Sequence, residues 1–237
     1  MAKHGEQFKT EHGVFDAFTY QTLFKLIADR HFLGLTSPVS IGKESNVFAA
    51  RTGNGGFVAV KIYRLETCDF NRMYDYIKFD PRFIGLLRKR RKVIFAWAQR
   101  EYRNLLLARE AGVNAPLPIA VRNNVLVESF IGDESPAPRL VRAAPQDPQK
   151  FFSELVKNIS KFYRTGMAHG DLSPFNILNY HDTPVFIDFS QGTTKENPRF
   201  QELFERDVTI VVKHFVKLGL KLDGAQVINS IMAGKKI

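Results

Sequence analysis

The spacing of apolar residues changes along the chain and predicts two structurally different parts. Residues 36–131 carry short apolar runs separated by glycines, including the turn GNGG at 53–56, which is typical of strands and hairpins. After residue 147 the apolar residues recur every three or four positions, which is the period of amphipathic helices. The pattern therefore predicts a β-rich part followed by an α-rich part.

The same pattern predicts the individual helices and one further hairpin. The runs PIAV and VLVESF around Asn123–Asn124 predict a hairpin. Asp147 followed by Pro148 is a good helix start, since Asp caps N-termini and Pro fits the first helical position. We expect residues 63–91 to form a long mobile loop or a short helix. The predicted helices are 14–29, 92–111 with a stop at Gly112, 147–166, 199–219 and 223–232.

Composition narrows the class of protein. No apolar run approaches the ~20 residues needed to cross a bilayer, and the polar start MAKHGEQFKTEHG is unlike a secretory signal. Cys68 is the single cysteine, which excludes an internal disulfide and favours a reducing cytoplasm. We therefore expect a cytoplasmic protein with no membrane contact and no disulfide partner.

The charge is strongly basic and partly clustered. The formal net charge is +10, and RKRRK at 88–92 is a run of five cations. One interpretation is a solvated helix face. Another is a phosphate-rich partner such as RNA, because clustered cations gain affinity by releasing condensed counterions. An acidic protein would bind the same cations equally well.

Candidate chemistry is concentrated in AHGDLSPFNILNY at 168–180 and VFID at 185–188. Asp171, Asn176 and Asp188 carry the oxygen ligands that Mg²⁺ prefers. A strand–turn–strand with its turn at His181–Asp182 would bring Asn176 and Asp188 together. In protein kinases one Asp takes the proton of the acceptor while an Asn and a later Asp hold metal ions. The alternative is that Asp171 and Asn176 only cap turns.

A lysine and a glutamate in apolar surroundings support that interpretation. Lys61 lies in the strand-like run VAVKIY, where a buried ammonium needs a partner or a phosphate. Glu101 falls within the apolar stripe of the predicted helix 92–111, so we expect it to pair with Lys61. Pairing of Glu101 with a surface cation remains an alternative.

The stretch SIGKESNV at 40–47 lies between two predicted strands, at the position of a phosphate-covering loop. It matches neither G-x4-G-K-[ST] nor G-x-G-x-x-G. We expect Ser40, Lys43 and nearby backbone amides to hold phosphate oxygens.

Taken in order, these motifs resemble the RIO family of atypical serine/threonine protein kinases. The resemblance rests on SIGKESNVF, VAVKIYRLETCDF, REYRNLLLAREAGV, HGDLSPFNIL, VFIDFSQG and ERDV, and it covers about residues 14–220. It is nearer to the first of the two archaeal subfamilies, which has no winged-helix domain.

The resemblance implies an α+β, two-lobed protein-kinase-like fold. The C-lobe is expected to be truncated, without an activation segment or peptide-docking helices, since no A-P-E follows Asp188. The expected domains are an N-terminal helical extension at 1–35, a β-rich N-lobe with one long helix at 36–131 and an α-rich C-lobe at 132–237.

It also implies roles for individual residues. Lys61 would bind ATP phosphates with Glu101 as its partner, and the Ser129 carbonyl and Ile131 amide would contact adenine. The residues implied in catalysis are Asp171 as the catalytic Asp, Asn176 and Asp188 as metal ligands, Asp188 as a transient phosphate acceptor, and Asp207 as a brace for the catalytic loop.

Three functions remain open at this point. The first is an ATP- and Mg²⁺-dependent RIO-type kinase or ATPase, with Mn²⁺ as an alternative metal, acting in small-ribosomal-subunit maturation. Its partners would be a pre-ribosomal particle or ribosomal RNA at 88–92, and a protein acceptor or the chain itself. The second is a small-molecule phosphotransferase of the aminoglycoside- or sugar-kinase type, although the short basic C-terminal segment argues against it. The third is a non-catalytic ATP-binding checkpoint, although every catalytic position is filled.

Overall fold

The chain is described by a computed structural model over residues 15–234. These residues form two compact units. The first contains the described residues up to Tyr74 with Gly85–Gln99 and Pro118–Phe130, and the second contains Asp75–Ile84, Arg100–Leu117 and the chain from Ile131 onward. The division predicted at residues 35 and 131 stays a prediction, and residues 1–14 of the expected N-terminal extension lie outside the described part. No helix between residues 15 and 234 is long and apolar enough to span a membrane.

A five-stranded antiparallel sheet forms the framework of the first unit, in the order β1-β2-β3-β5-β4. Its turns use residues that tolerate positive φ, Gly55 at 87° after β2 and Asn123 at 52° after β4. Both predicted hairpins are therefore confirmed. The strands are β1 (Gly34–Ile41), β2 (Ser45–Arg51), β3 (Phe57–Tyr63), β4 (Pro118–Arg122) and β5 (Val125–Ser129).

The core of the first unit lies between this sheet and the N-terminal helix α1 (Ala17–Ala28). Each fully buried aliphatic or Phe side chain contributes about 1.5–3 kcal/mol. The buried cluster comprises Leu23, Leu26, Phe32, Leu35, Phe48, Ala50, Val58, Val60, Ile62, Val125 and Val127.

Helix α1 starts where the sequence predicts, within three residues. Asp16 is its N-cap, and Oδ1 accepts a hydrogen bond of 3.0 Å from the Thr19 amide. The turn between β4 and β5 is tied to the helix, because the side-chain amide of Asn124 donates to the Thr19 hydroxyl at 3.0 Å. The apolar face and the polar ties together fix the helix against the sheet.

The stretch 40–47, expected to be a phosphate-covering loop, is mostly strand. Ser40 pairs with Val47 and Ile41 with Asn46 across β1 and β2, and the Gly42 amide closes the hairpin on the Ser45 carbonyl at 3.0 Å. The loop prediction was wrong in extent because backbone pairing continues into polar residues. Only residues 42–44 form the turn.

Residues 63–91 contain the short helix that the sequence left as one option. Helix α2 (Phe70–Ile77) is followed by a 3-10 turn at Pro81–Phe83, and helix α3 (Arg90–Glu110) begins two residues before its predicted start. Within α2 the buried residues Met73 and Ile77 lie one helical turn apart. Helix α3 ends before Gly112, whose φ of 73° confirms the predicted stop.

Helices dominate the second unit, as the periodicity predicts. They are α4 (Pro148–Arg164), α5 (Phe200–Lys217) and α6 (Gly224–Met232). Asp147 caps α4 by accepting from the Lys150 amide at 2.9 Å, which confirms the predicted helix start. The rings of Phe151 and Phe152 pack on Phe215, with centroids 6.0 and 5.1 Å away.

Short strands lie between α4 and α5 and carry the loops of interest. Two pairs form, β6 with β9 and β7 with β8. Among the described residues, α5 begins six positions after the end of β9. The strands are β6 (Met167–Ala168), β7 (Ile177–Tyr180), β8 (Thr183–Phe186) and β9 (Thr193–Thr194), with a 3-10 turn at Phe189–Gln191.

Candidate active site

The β7–β8 hairpin brings two of the predicted metal ligands to one end. Its turn residues His181 and Asp182 adopt φ of 49° and 58°, so the predicted strand–turn–strand is confirmed. At the open end the Ile187 amide donates to the Asn176 carbonyl at 3.0 Å. Asp188 follows directly, so Asn176 and Asp188 share this end of the hairpin.

The carboxylate of Asp171 is held by two side-chain amides. Nδ2 of Asn176 donates to the Asp171 carbonyl oxygen at 2.8 Å and to Oδ2 at 3.2 Å, and Nε2 of Gln191 donates to the same Oδ2 at 3.2 Å. Because Nδ2 of Asn176 is directed at Asp171, its Oδ1 is the atom suited to a metal ion. Asn176 therefore also ties its own loop, as the turn-capping alternative proposed.

Asp188 has an unusual backbone conformation. Its φ of 63° and ψ of 68° place it in the left-handed region, which costs a non-glycine residue about 1–2 kcal/mol. Such strain is concentrated at functional sites. The Ser190 hydroxyl donates to Oδ1 of Asp188 at 2.7 Å and fixes the orientation of the carboxylate.

Two buried polar residues of α3 donate hydrogen bonds to backbone carbonyl groups of the segment 188–192. Nη1 of Arg100 donates to the Ser190 carbonyl at 2.8 Å. Nδ2 of Asn104 donates to the carbonyls of Phe189 and Gly192 at 2.8 and 3.1 Å. A Cβ on Gly192 would lie 2.7 Å from that Nδ2, so glycine is needed here. Sequence analysis missed both α3 residues.

Arg100 is itself paired with a residue of the segment before α3. Its Nε donates to Oδ2 of Asp80 at 3.1 Å, and Nε and Nη2 of Arg82 donate to the two Asp80 oxygens at 2.8 and 2.6 Å. Burial raises the pKa of Asp80, but the hydrogen bond and charge of Arg82 and the charge of Arg100 outweigh it, so the pKa is lowered overall. Burial lowers the pKa of Arg100 to about 10, against the opposing effect of Asp80. The pair is therefore ionised at neutral pH.

The loop that carries Asp171 is held by a residue of α5. The Gly170 amide donates to Oδ2 of Asp207 at 2.7 Å, which confirms the brace that the resemblance implied. Burial raises the pKa of Asp207 to about 7, opposed by the charge of Arg206 and by backbone amides. Gly170 has a φ of 76°, and a Cβ there would lie 2.5 Å from the Gln191 carbonyl oxygen, so glycine is required. Nε2 of His169 lies 3.1 Å from the Ile187 carbonyl, a structural role as predicted.

The predicted ATP-binding residues lie in both units and are described separately. In the first unit Lys61 is on β3, 5 % exposed, with Nζ 5.3 Å from the ring centroid of Tyr63. Ser40 is on β1, Lys43 lies in the β1–β2 turn, and Ser129 ends β5. Their roles stay predictions.

In the second unit Glu101 is 1 % exposed on α3. The carbonyl of Ile131 accepts from the Ala137 amide at 2.9 Å. The pairing of Glu101 with Lys61, and the contact of Ile131 with adenine, stay predictions.

The donor atoms near Asp171 suit a magnesium ion that arrives with phosphates. No group of three or more His, Cys, Asp or Glu side chains within residues 15–234 is arranged to hold a metal ion. One carboxylate and one amide oxygen are the small protein share that Mg²⁺ takes when phosphates and water supply the rest. The chemistry of Asn176 and Asp188 therefore fits Mg²⁺.

Comparison with known proteins identifies the family. A model of the RIO domain matches residues 46–227. This chain belongs to the RIO family. The resemblance stated from the motifs is thereby confirmed, and so is the predicted class of enzyme, an atypical kinase of the RIO type.

Two similar proteins are each named RIO-type serine/threonine-protein kinase Rio1. The one from Haloferax volcanii is 39% identical over 223 residues, covering 94% of this chain and 77% of the relative. The one from Methanocaldococcus jannaschii is 43% identical over 212 residues, covering 89% of this chain and 72% of the relative. The RIO chain thus fits an archaeal-type RIO kinase.

Solved structures agree on the fold. The Rio2 kinase from Chaetomium thermophilum, in an ADP/Mg²⁺-phosphoaspartate complex, superimposes with a TM-score of 0.65 and 24% identity. The match covers 84% of this chain and 60% of that one. The predicted α+β kinase-like fold is confirmed.

Proposed function

We propose that this RIO protein transfers the γ-phosphoryl group of ATP, with Mg²⁺, to serine or threonine of a protein acceptor or of itself. The observation that carries the proposal is the hydrogen bond from the Asn176 side chain to the Asp171 carboxylate. Asn176 lies at the open end of the β7–β8 hairpin, next to Asp188. A proton acceptor and two metal donors are thus held in one short region. The family match supports this function over a small-molecule phosphotransferase.

Asp171 is proposed as the group that accepts the proton of the attacking hydroxyl. Its Oδ2 accepts hydrogen bonds from the side-chain amides of Asn176 and Gln191, and these hydrogen bonds fix the orientation of the carboxylate. A carboxylate held in this way can orient the hydroxyl and remove its proton as the bond to phosphorus forms.

Asn176 and Asp188 are proposed to hold Mg²⁺. When bound, the ion would neutralise charge on the phosphate oxygens. The hydrogen bond from Ser190 to Asp188 keeps the carboxylate oriented without the ion. Lys61, Ser40 and Lys43 are proposed to contact phosphates, Glu101 to support Lys61, and Ser129 and Ile131 to contact adenine.

Asp188 is also proposed as a transient phosphate acceptor, which would make the protein an ATPase. A carboxylate oxygen attacks the γ-phosphorus, the bond to the bridging oxygen breaks, and ADP leaves; water then hydrolyses the acyl phosphate. The structure of a phosphoaspartate complex of the Chaetomium thermophilum Rio2 kinase supports this step by analogy.

The test uses γ-labelled ATP with Mg²⁺, casein as acceptor, and Lys61→Ala beside the matched surface variant Lys78→Ala. We expect the wild type and Lys78→Ala to label casein or themselves, and Lys61→Ala to lose labelling by about 10²-fold or more while staying folded. Hydroxylamine removes label from Asp188 but not from serine or threonine. Full labelling by Lys61→Ala would contradict the proposal.

We propose that the basic run 88–92 binds RNA in a pre-ribosomal particle. All five side chains are exposed. Three of them also lie over aromatic rings of the first unit, with Arg88 on Tyr74, Arg90 on Phe70 and Arg91 on Phe18. The lysines Lys89 and Lys92 are therefore the best candidates for contacts with RNA phosphates.

Salt dependence of RNA binding tests this partner. The slope of log K against log salt concentration is negative, and each lost phosphate contact reduces its magnitude by about 0.7–0.9. For a short double-stranded RNA, the double variant Lys89→Ala/Lys92→Ala should reduce the magnitude of the slope by about two such steps. The control double variant Lys150→Ala/Lys157→Ala should leave the slope unchanged. Equal slopes would exclude this surface.

A cytoplasmic location is proposed from the single cysteine. Cys68 is buried, its Sγ donates to the Glu44 carbonyl at 2.9 Å, and burial raises the pKa of its thiol to about 12. Such a thiol is unreactive, so it supports the expectation that there is no disulfide partner.

A further inference from the structure

A cluster of four polar residues lies behind the segment 188–192, and the proposed function gives it no part. We define this buried ion-pair cluster as Asp80, Arg82, Arg100 and Asn104. We propose that Asp80, acting through Arg100, is a positioning residue that sets the segment 188–192 for Mg²⁺ binding and for orientation of Asp171. The inference rests on the proposed function and extends it to the segment 75–84.

The first step concerns the charge of Arg100. Its side chain is 1 % exposed, and a buried guanidinium is stable only with a counter-ion and full hydrogen bonding. Asp80, 3 % exposed, supplies the counter-ion at 3.1 Å. The planar guanidinium donates to Asp80 from one side and to the Ser190 carbonyl from another, so it fixes the spacing between them.

The second step concerns Asn104, whose orientation depends on Arg82. Nη2 of Arg82 donates to Oδ1 of Asn104 at 2.7 Å. That contact directs Nδ2 of Asn104 toward the carbonyls of Phe189 and Gly192. Arg82 also donates to both carboxylate oxygens of Asp80. Asp80 is therefore the common partner of Arg82 and Arg100.

The third step follows the segment to the reacting groups. The cluster holds the carbonyls of Phe189, Ser190 and Gly192 from behind. On the other side the same segment holds Asp188 through the Ser190 hydroxyl and Asp171 through Gln191. A shift of the cluster therefore moves a metal ligand and the proton acceptor together.

The local backbone explains why Asp80 and Arg82 act as one unit. Asp80 is the N-cap of the 3-10 turn, and its Oδ1 accepts from the Arg82 amide at 3.1 Å. Capping and ion pairing use the same carboxylate. The turn between α2 and α3 thus presents a preformed carboxylate–guanidinium pair to Arg100 and Asn104.

The test measures ADP affinity by calorimetry with Mg²⁺ and with excess chelator. Asp80→Asn keeps the shape and removes the charge, and Asp75→Asn is the matched control in the same segment, with a side chain 60% exposed. Loss of a residue that orients a metal ligand costs about 10–100-fold in metal affinity or activity. We expect Asp80→Asn to need at least tenfold more Mg²⁺ for tight ADP binding, with kcat lowered similarly and ADP affinity in chelator within twofold of wild type.

A general loss of structure would weaken ADP binding equally in Mg²⁺ and in chelator, and that result would overturn the inference. A folded Asp80→Asn with wild-type Mg²⁺ dependence would also overturn it. If Asp80→Asn does not fold, Arg82→Met carries the test, because its side chain is 21% exposed; we then expect a smaller shift in the same direction, and no shift refutes the inference. A wild type without any Mg²⁺-dependent ADP binding or turnover refutes the proposed function itself, which is a separate result.

Discussion

The sheet of the first unit and the loops of the second unit that carry Asp171 and Asp188 are stabilised by different kinds of interaction. The sheet of the first unit is held mainly by apolar side chains such as Leu26, Val60 and Ile62. The loops of the second unit that carry Asp171 and Asp188 are held by buried polar groups. Apolar burial is strong but non-directional, whereas hydrogen bonds to carbonyls fix positions. The comparison teaches that burial of polar groups is concentrated where side chains must be placed accurately.

The largest expected effect is on the rate of phosphoryl transfer, and it tests whether a polar residue of the loops affects this rate without affecting stability. Asp171→Asn should lower the rate of phosphoryl transfer by about 10²–10⁴-fold, since it removes the proposed proton acceptor, with little change in the free energy of unfolding. Single-turnover assays and urea unfolding measure the two quantities. Asp133→Asn, with a side chain 64% exposed, is the control and should retain wild-type rates.

The next effect concerns stability of the buried ion-pair cluster. Asp80→Asn should lower the free energy of unfolding by about 3–5 kcal/mol at pH 7, because it leaves a buried arginine without its counter-ion. The pKa of Asp80 is lowered from 3.8 in the folded state, so its charge stabilises the fold above that pH and ceases to do so as pH falls below it. The difference between variant and wild type should therefore shrink at pH 3. A difference that is constant with pH would contradict the ionised pair.

A matched substitution in the first unit should cost less. Leu26→Met changes the shape of an apolar side chain at nearly constant volume, whereas Asp80→Asn keeps the shape and removes a charge. Leu26→Met should cost under about 1.5 kcal/mol because apolar cores repack. Urea unfolding of the two variants side by side makes the comparison direct. If Leu26→Met cost as much as Asp80→Asn, the distinction between the units would fail.

The smallest effect separates buried from exposed ion pairs within the second unit. Glu154 and Lys157 form a pair at 2.7 Å with side chains 43% and 60% exposed. Glu154→Gln should change the free energy of unfolding by under about 0.5 kcal/mol, since exposed pairs are screened by solvent. A loss near that of Asp80→Asn would show that burial is not what matters.

Sequence analysis predicted the first unit well because its signals are local and periodic. The hairpins at Gly55 and Asn123, and helix α1, follow from alternation, turn residues and a cap. Asp171, Asn176 and Asp188 were singled out as candidates because they lie within 18 residues of one another in a recognisable motif; their roles stay predictions. The stretch 40–47 was misjudged because polar residues hid the strand pairing.

The residues behind the active-site loops were missed for a physical reason. Arg100 and Asn104 contact carbonyls about 90 and 85 residues later in the chain, and no local pattern reports such a contact. A signal did exist, because both lie on α3 between the buried residues Ala98, Leu105 and Ala108. Polar residues one turn apart inside an apolar stripe indicate a buried network.

The segment 75–84 leads from the end of α2 toward α3, and through Arg100 its Asp80 is connected to Ser190, much later in the chain. Connections between helices commonly tolerate insertions and changes of length. Here one residue more or fewer would turn the Asp80 carboxylate away from its two arginines. Trimming this stretch, or nicking it with a protease, should therefore disable the enzyme without touching any residue that meets the nucleotide.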